Sequence, residues 1–139
     1  MGKMRTQYTG RYSISKHRFL MVFHYVMDMY PAWVAEYNAI VDTRKSFQYG
    51  DKNGGKTGND DPTQEAAMRL SYLSGQIDMI ERAAAEAGGD LAPWIIQAAT
   101  TEGCGYNTLR MQKNRIPCNE KEYYKARRMF YWILAQQIK

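Results

Sequence analysis

Between Ala66 and Ala87 the residues Ala66, Leu70, Leu73, Ile77, Ile80, Ala84 and Ala87 recur at spacings that alternate between four and three. Only a helix places such a series on one face; a strand would scatter it over both. The segment opens on Asp61-Pro62-Thr63-Gln64, an N-cap acid, a proline in the first turn and a glutamine three past the cap. It closes at Gly88-Gly89, where a helix can leave through a left-handed residue. A chain built on so long an amphipathic helix must bury that stripe against other helices. The seam spans three heptads, which serves equally for an antiparallel contact within one chain or a short coil in a homodimer.

The rest of the chain keeps the helical period, and Val, Ile and Thr nowhere alternate over a strand's length. Residues 1–43 read as a basic arm followed by helices. Ser15 is an N-cap candidate, and Phe19, Val22, Phe23, Val26, Met27 and Tyr30 form one stripe. Pro31 is expected to divide it, because proline cannot donate inside a helix but fits a first turn. A second helix is then expected from Pro31 to about Asp42. Residues 44–61, with Gly50, Gly54, Gly55 and Gly58 among Lys, Asn and Asp, read as a flexible linker. Residues 62–139 read as a helical bundle. Within it, 90–139 gives a helix from Asp90 to Gly103, a short helix from Tyr106 to Lys113, a turn at Asn114–Pro117, and a last helix. Asn119-Glu120-Lys121-Glu122 is a capping box that opens this last helix, which runs to about Gln137. The expectation is an all-α fold: an N-terminal helical arm plus a helical bundle with a C-terminal helix-turn-helix.

Several functions drop out. At 139 residues and 45% hydrophobic the chain can bury a core without staples. No run is apolar for long enough to span a bilayer, and the basic N-terminus has no apolar stretch before Phe19, unlike a secretory signal. Cys104 and Cys118 fit neither a disulfide scaffold nor a common zinc spacing, so the reading is a soluble, reduced, cytoplasmic protein. His17 and His24 lie seven apart with no ligands to complete a metal site. The letters GDKNGGKT from Gly50 to Thr57 resemble a phosphate loop, but no strand precedes them and Asn59-Asp60-Asp61-Pro62 follows where the loop's helix should open. No nucleophile, metal or redox motif is present, so no enzyme, metal or cofactor is expected.

Charge points elsewhere. The net +5 is segregated: residues 1–18 carry five bases and no acid, and 59–102 carry eight acids against Arg69 and Arg82. Residues 103–139 carry eight bases against Glu120 and Glu122. Basic blocks at both ends imply a polyanionic partner, double-stranded DNA first. With Tyr123 at zero and about 100° per residue, Ala126, Phe130, Ile133 and Leu134 fall within about 80° of it. Lys121, Lys125, Arg128 and Trp132 fall opposite, with Tyr124 between. Such a helix turns an apolar stripe inward and a cationic ridge outward, able to neutralise phosphates and read base edges. The candidate DNA contacts are Arg110, Lys113, Arg115, Lys121, Tyr124, Lys125 and Arg128. Arg5, Arg11, Lys16 and Arg18 of the arm are candidate phosphate contacts.

Several short stretches carry a resemblance. Ser13-Ile14-Ser15-Lys16-His17-Arg18-Phe19, Tyr30-Pro31-Ala32-Trp33, Asp61-Pro62-Thr63, Gly105-Tyr106-Asn107, Ile116-Pro117-Cys118, Tyr123-Tyr124 and Arg127-Arg128-Met129-Phe130-Tyr131 resemble small prophage proteins of Gram-positive hosts. These are transcription regulators of the ArpU/RinA type, with a sigma-region-4-like helix-turn-helix. The resemblance implies a DNA-binding regulator encoded by a phage or mobile element. Glu120 and Glu122 depart from a uniformly basic recognition helix. The competing expectation is a small phage protein that binds a host protein, such as RNA polymerase or a defence nuclease of the CRISPR-effector kind, through its acidic middle and adaptable methionines.

Overall fold

Ser15 opens the first helix. Its Oγ accepts from the Arg18 N–H at 3.1 Å, and its carbonyl accepts from the Phe19 N–H at 2.8 Å, as expected of an N-cap. The computed structural model describes residues 10–50 and 62–138, with side chains over 10–44 and 63–138. Among the described residues there are five α-helices and no strand. They are α1 Lys16–Gly50, α2 Pro62–Gly88, α3 Ala92–Thr100, α4 Tyr106–Met111 and α5 Glu120–Gln137, with a 3-10 turn Gly89–Leu91 between α2 and α3. The expected all-α bundle is the fold. Asp61, Arg5 and most of the glycine-rich GDKNGGKT stretch lie outside the described residues.

The expected break at Pro31 is absent: α1 runs straight through it. A proline inside a helix costs about 3 kcal/mol, so something must hold both halves. Val26 before it and Trp33 after it are both buried in one core. The Tyr25 and Trp33 rings meet edge to face at 5.7 Å, and the Tyr30 hydroxyl donates to Glu81 Oε2 on α2 at 2.6 Å. Each large apolar side chain so buried contributes about 1.5–3 kcal/mol, enough together to offset the proline. Pro31 itself is exposed, so its missing hydrogen bond falls where water can serve.

The expected linker is also shorter at its start, because residues 44–50 continue α1. Nor is α1 an arm beside a bundle. Phe19, Val22, Val26 and Trp33 share a core with Leu73 and Ile80 of α2 and with Phe130 and Leu134 of α5. Pairing of Glu36 with Arg69 and of Tyr30 with Glu81 sets α1 and α2 antiparallel.

The three-and-four seam of α2 is its inward face: Leu73, Ile80 and Ala84 are fully buried, and Ala66, Leu70, Ile77 and Ala87 half so. The helix packs there against α1, α3 and α5 of the same chain, so the middle and end of the seam serve contacts within the chain. At the end of α2 the approach is close. A Cβ at Gly88 would lie 2.5 Å from Ile95 Cδ1 and 3.4 Å from Ala126 Cβ. Gly89 then takes φ +57, a left-handed turn that favours glycine. Asp90 sits in this 3-10 turn, and α3 starts two residues later than expected, at Ala92.

Candidate nucleic-acid interface

The last helix begins with the expected capping box. Asn119 Oδ1 accepts from the Glu122 N–H at 2.8 Å, and the Asn119 N–H donates to Glu122 Oε1 at 3.2 Å. One of the two acids that depart from a basic recognition helix is thereby explained. Glu122 closes the cap and sits at the positive end of the helix dipole.

From there the two-faced pattern is realised in its first half and altered in its second. Tyr123, Ala126, Phe130, Ile133 and Leu134 are buried, as the periodicity requires. Tyr131 is buried too, which widens the inward arc. Burial pushes the Tyr131 hydroxyl up to about 12 and the Tyr123 hydroxyl higher still, Arg127 opposing both shifts. On the outer side Lys121 and Lys125 are exposed, Tyr124 is half-buried, and Arg128 is half-buried with its Nε out of water. Trp132 is covered by the described end of the arm: the Tyr12 ring meets it edge to face at 5.2 Å.

That contact brings the arm to the ridge. The exposed Arg11 guanidinium lies 5.5 Å from the centre of the Tyr12 ring, in the position of a cation–π pair. Arg11 therefore stands beside the C-terminal half of α5, while Lys121 and Lys125 occupy its N-terminal half. Lys16 is exposed on the first turn of α1. Arg18 has a different task. Its guanidinium donates to the carbonyl of Ala135 at 2.8 Å and to that of Ile138, satisfying groups that a helix end leaves open. Sequence alone gave no sign of this, since the partner groups are backbone carbonyls more than a hundred residues away.

Arg110, Lys113 and Arg115 are exposed on α4 and on the connection to α5. The connection takes eight residues, 112–119, where a compact helix-turn-helix uses about three or four; the tight turn expected at Asn114–Pro117 is a longer, braced loop. The Trp94 indole donates to the Asn114 carbonyl at 2.8 Å, and the Gln112 amide to the same carbonyl at 2.8 Å. Tyr106 donates its hydroxyl proton to the Cys118 carbonyl at 2.7 Å, and the Ile116 N–H bonds to the Leu109 carbonyl at 3.1 Å. Beneath the loop Leu109, Ile116 and Tyr123 form a second small core with Trp94 and Tyr106 packed against it. Three helices and a basic loop are thus fixed to one another, with Arg110, Lys113, Arg115, Lys121 and Lys125 outward.

Cys104 and Cys118 pack around the same small core, and burial pushes both thiols up. Among the described residues no helix is long and apolar enough to cross a membrane. No family model matches the chain, and no curated protein or solved structure matches it.

Proposed function

We propose that this protein binds double-stranded DNA through the N-terminal half of α5 and the braced α4–α5 loop, and acts as a transcription regulator. The observation that carries the reading is the exposure of Lys121 and Lys125 on a helix whose remaining faces are held in two cores. A helix held so firmly can present cations at fixed spacing without a large ordering cost on binding. Arg110, Lys113 and Arg115 flank it where backbone phosphates would pass, and Arg11 extends the positive surface along α5. Arg128 contributes from the inner edge. The resemblance to regulators of the ArpU/RinA type supports the same role, in a phage or mobile element.

A gel-shift of genomic fragments from around the protein's own gene tests this. A retarded fragment, lost when Lys121, Lys125 and Arg128 are neutralised together with helix content intact, supports it. No shift of any duplex at low salt overturns it. The second reading, binding of a host protein such as RNA polymerase or a defence nuclease, draws on another surface. Met21, Met68, Tyr72 and Met111 are exposed to between 47% and 73%, and adaptable side chains of this kind can serve as contacts for a protein partner.

A further inference from the structure

Behind the ridge a cavity of about 280 Å³ opens where α1, the end of α3, the α3–α4 connection and α5 meet, and Phe23, Met27, Thr101, Gly105, Arg127 and Tyr131 are among its walls. Arg127 is the unexpected member. It falls about 40° from Tyr123 on the helix, inside the apolar arc, and it is half-buried. Its guanidinium stacks over Tyr131 at 5.1 Å and Phe19 at 5.6 Å. Stacking uses the faces of the group and leaves its in-plane N–H donors for hydrogen bonds. Among the described residues no carboxylate, carbonyl or hydroxyl accepts from them. Arg127 is in the wall of the cavity, so an anion that enters meets a guanidinium already held in place by two rings.

The remaining walls say what would pair it. Phe23, Met27 and Tyr131 are apolar, and Arg127 is the one cation among the lining residues. Cys104, also in the wall, stays protonated because burial pushes its thiol up, so it brings no negative charge. We propose that this cavity is a binding site for a small molecule with a single carboxylate on a compact apolar body, the carboxylate pairing with the Arg127 fork and the body resting against Phe23 and Met27. Paired Arg–carboxylate bonds are directional and strong, and the volume, near the lower limit for ligand pockets, sets the ligand at about ten non-hydrogen atoms. A phosphate, with its larger charge, would be poorly served by a single guanidinium. The proposal does not depend on DNA binding.

The test is titration of the ¹⁵N-labelled protein with benzoate, phenylacetate and hexanoate, each beside its neutral amide, followed by NMR. The expected result is saturable shifts of the Gly103, Gly105 and Arg127 signals with at least one carboxylate, and binding of its amide weaker by about tenfold or more. Arg127→Gln should weaken that carboxylate by about tenfold or more. Gly105→Leu serves as the second variant: Gly105 is in the cavity wall, its backbone is extended, and a Cβ there meets nothing within 4 Å, so the larger side chain is accommodated without strain and, by occupying the cavity, should also abolish the shifts. Three results would overturn the proposal: no saturable shift with any of the carboxylates, equal binding of acid and amide, or binding that survives whichever of the two variants keeps the native spectrum.

Discussion

Replacing Pro31 with alanine should stabilise the protein. Proline in a helix interior is less favourable than alanine by about 3 kcal/mol, since it has no N–H to donate and its ring crowds the carbonyl four residues back. Here that carbonyl belongs to Met27. Pro31 is exposed, so the smaller side chain gives up little packing, and Val26 and Trp33 already hold both halves of α1 in the core. A gain of about 2–3 kcal/mol follows. For a chain of this length each kcal/mol moves Tm by about 3–4 °C, so thermal unfolding followed by circular dichroism should shift upward by about 6–12 °C. Urea unfolding should show the same gain with an unchanged slope. A Tm equal to or below that of the parent protein would refute the reasoning. It would mean that α1 needs a bend at Pro31 to seat Val26 and Trp33 together, and that the proline is part of the packing rather than tolerated by it.

Three further outcomes are expected. Gly88→Ala should destabilise by about 1–3 kcal/mol, because the added methyl meets Ile95 and Ala126 in a packed junction; an unchanged Tm would show that Ile95 moves aside freely. Burial and the bond to Glu81 raise the Tyr30 hydroxyl, so its contribution is complete below the ordinary tyrosine value of about 10 and is lost as the pH climbs through the raised one. The stability advantage over Tyr30→Phe should therefore shrink at strongly alkaline pH, and an advantage that grows there contradicts the contact. Cys104 and Cys118, both with raised thiols, should react with iodoacetamide more slowly than a free thiol near neutral pH and catch up in denaturant; equal rates in the native state would count against their burial.

Much of this architecture could be read along the chain because it is local. Ser15 and Asn119 are caps whose signals lie within three residues, and the α2 seam declares its inward face by spacing alone. The misreadings came from tertiary effects. Pro31 announces a break that is overridden by Trp33 burying itself against residues far away in sequence. The linker composition of 44–50 gives no hint that α1 carries on through it. For the interface, exposure of Lys121 and Lys125 followed from periodicity. The covering of Trp132 by Tyr12 and the engagement of Arg18 at the end of α5 both join residues more than a hundred positions apart, which no local pattern encodes. Arg127 did leave a sign, a base on the apolar arc of the wheel, whose meaning emerged only with Phe19 and Tyr131 beneath it.

The central claim is that Lys121 and Lys125 meet phosphate. Duplex affinity measured by fluorescence anisotropy across a series of salt concentrations addresses it directly. If the six exposed cations Arg11, Arg110, Lys113, Arg115, Lys121 and Lys125 all contact the backbone, the logarithm of the binding constant should fall against that of salt with a slope of about −5. In the double variant Lys121→Gln, Lys125→Gln the slope should be shallower by about 2. A slope that the double variant leaves unchanged, or no duplex binding at the lowest salt, would contradict the account.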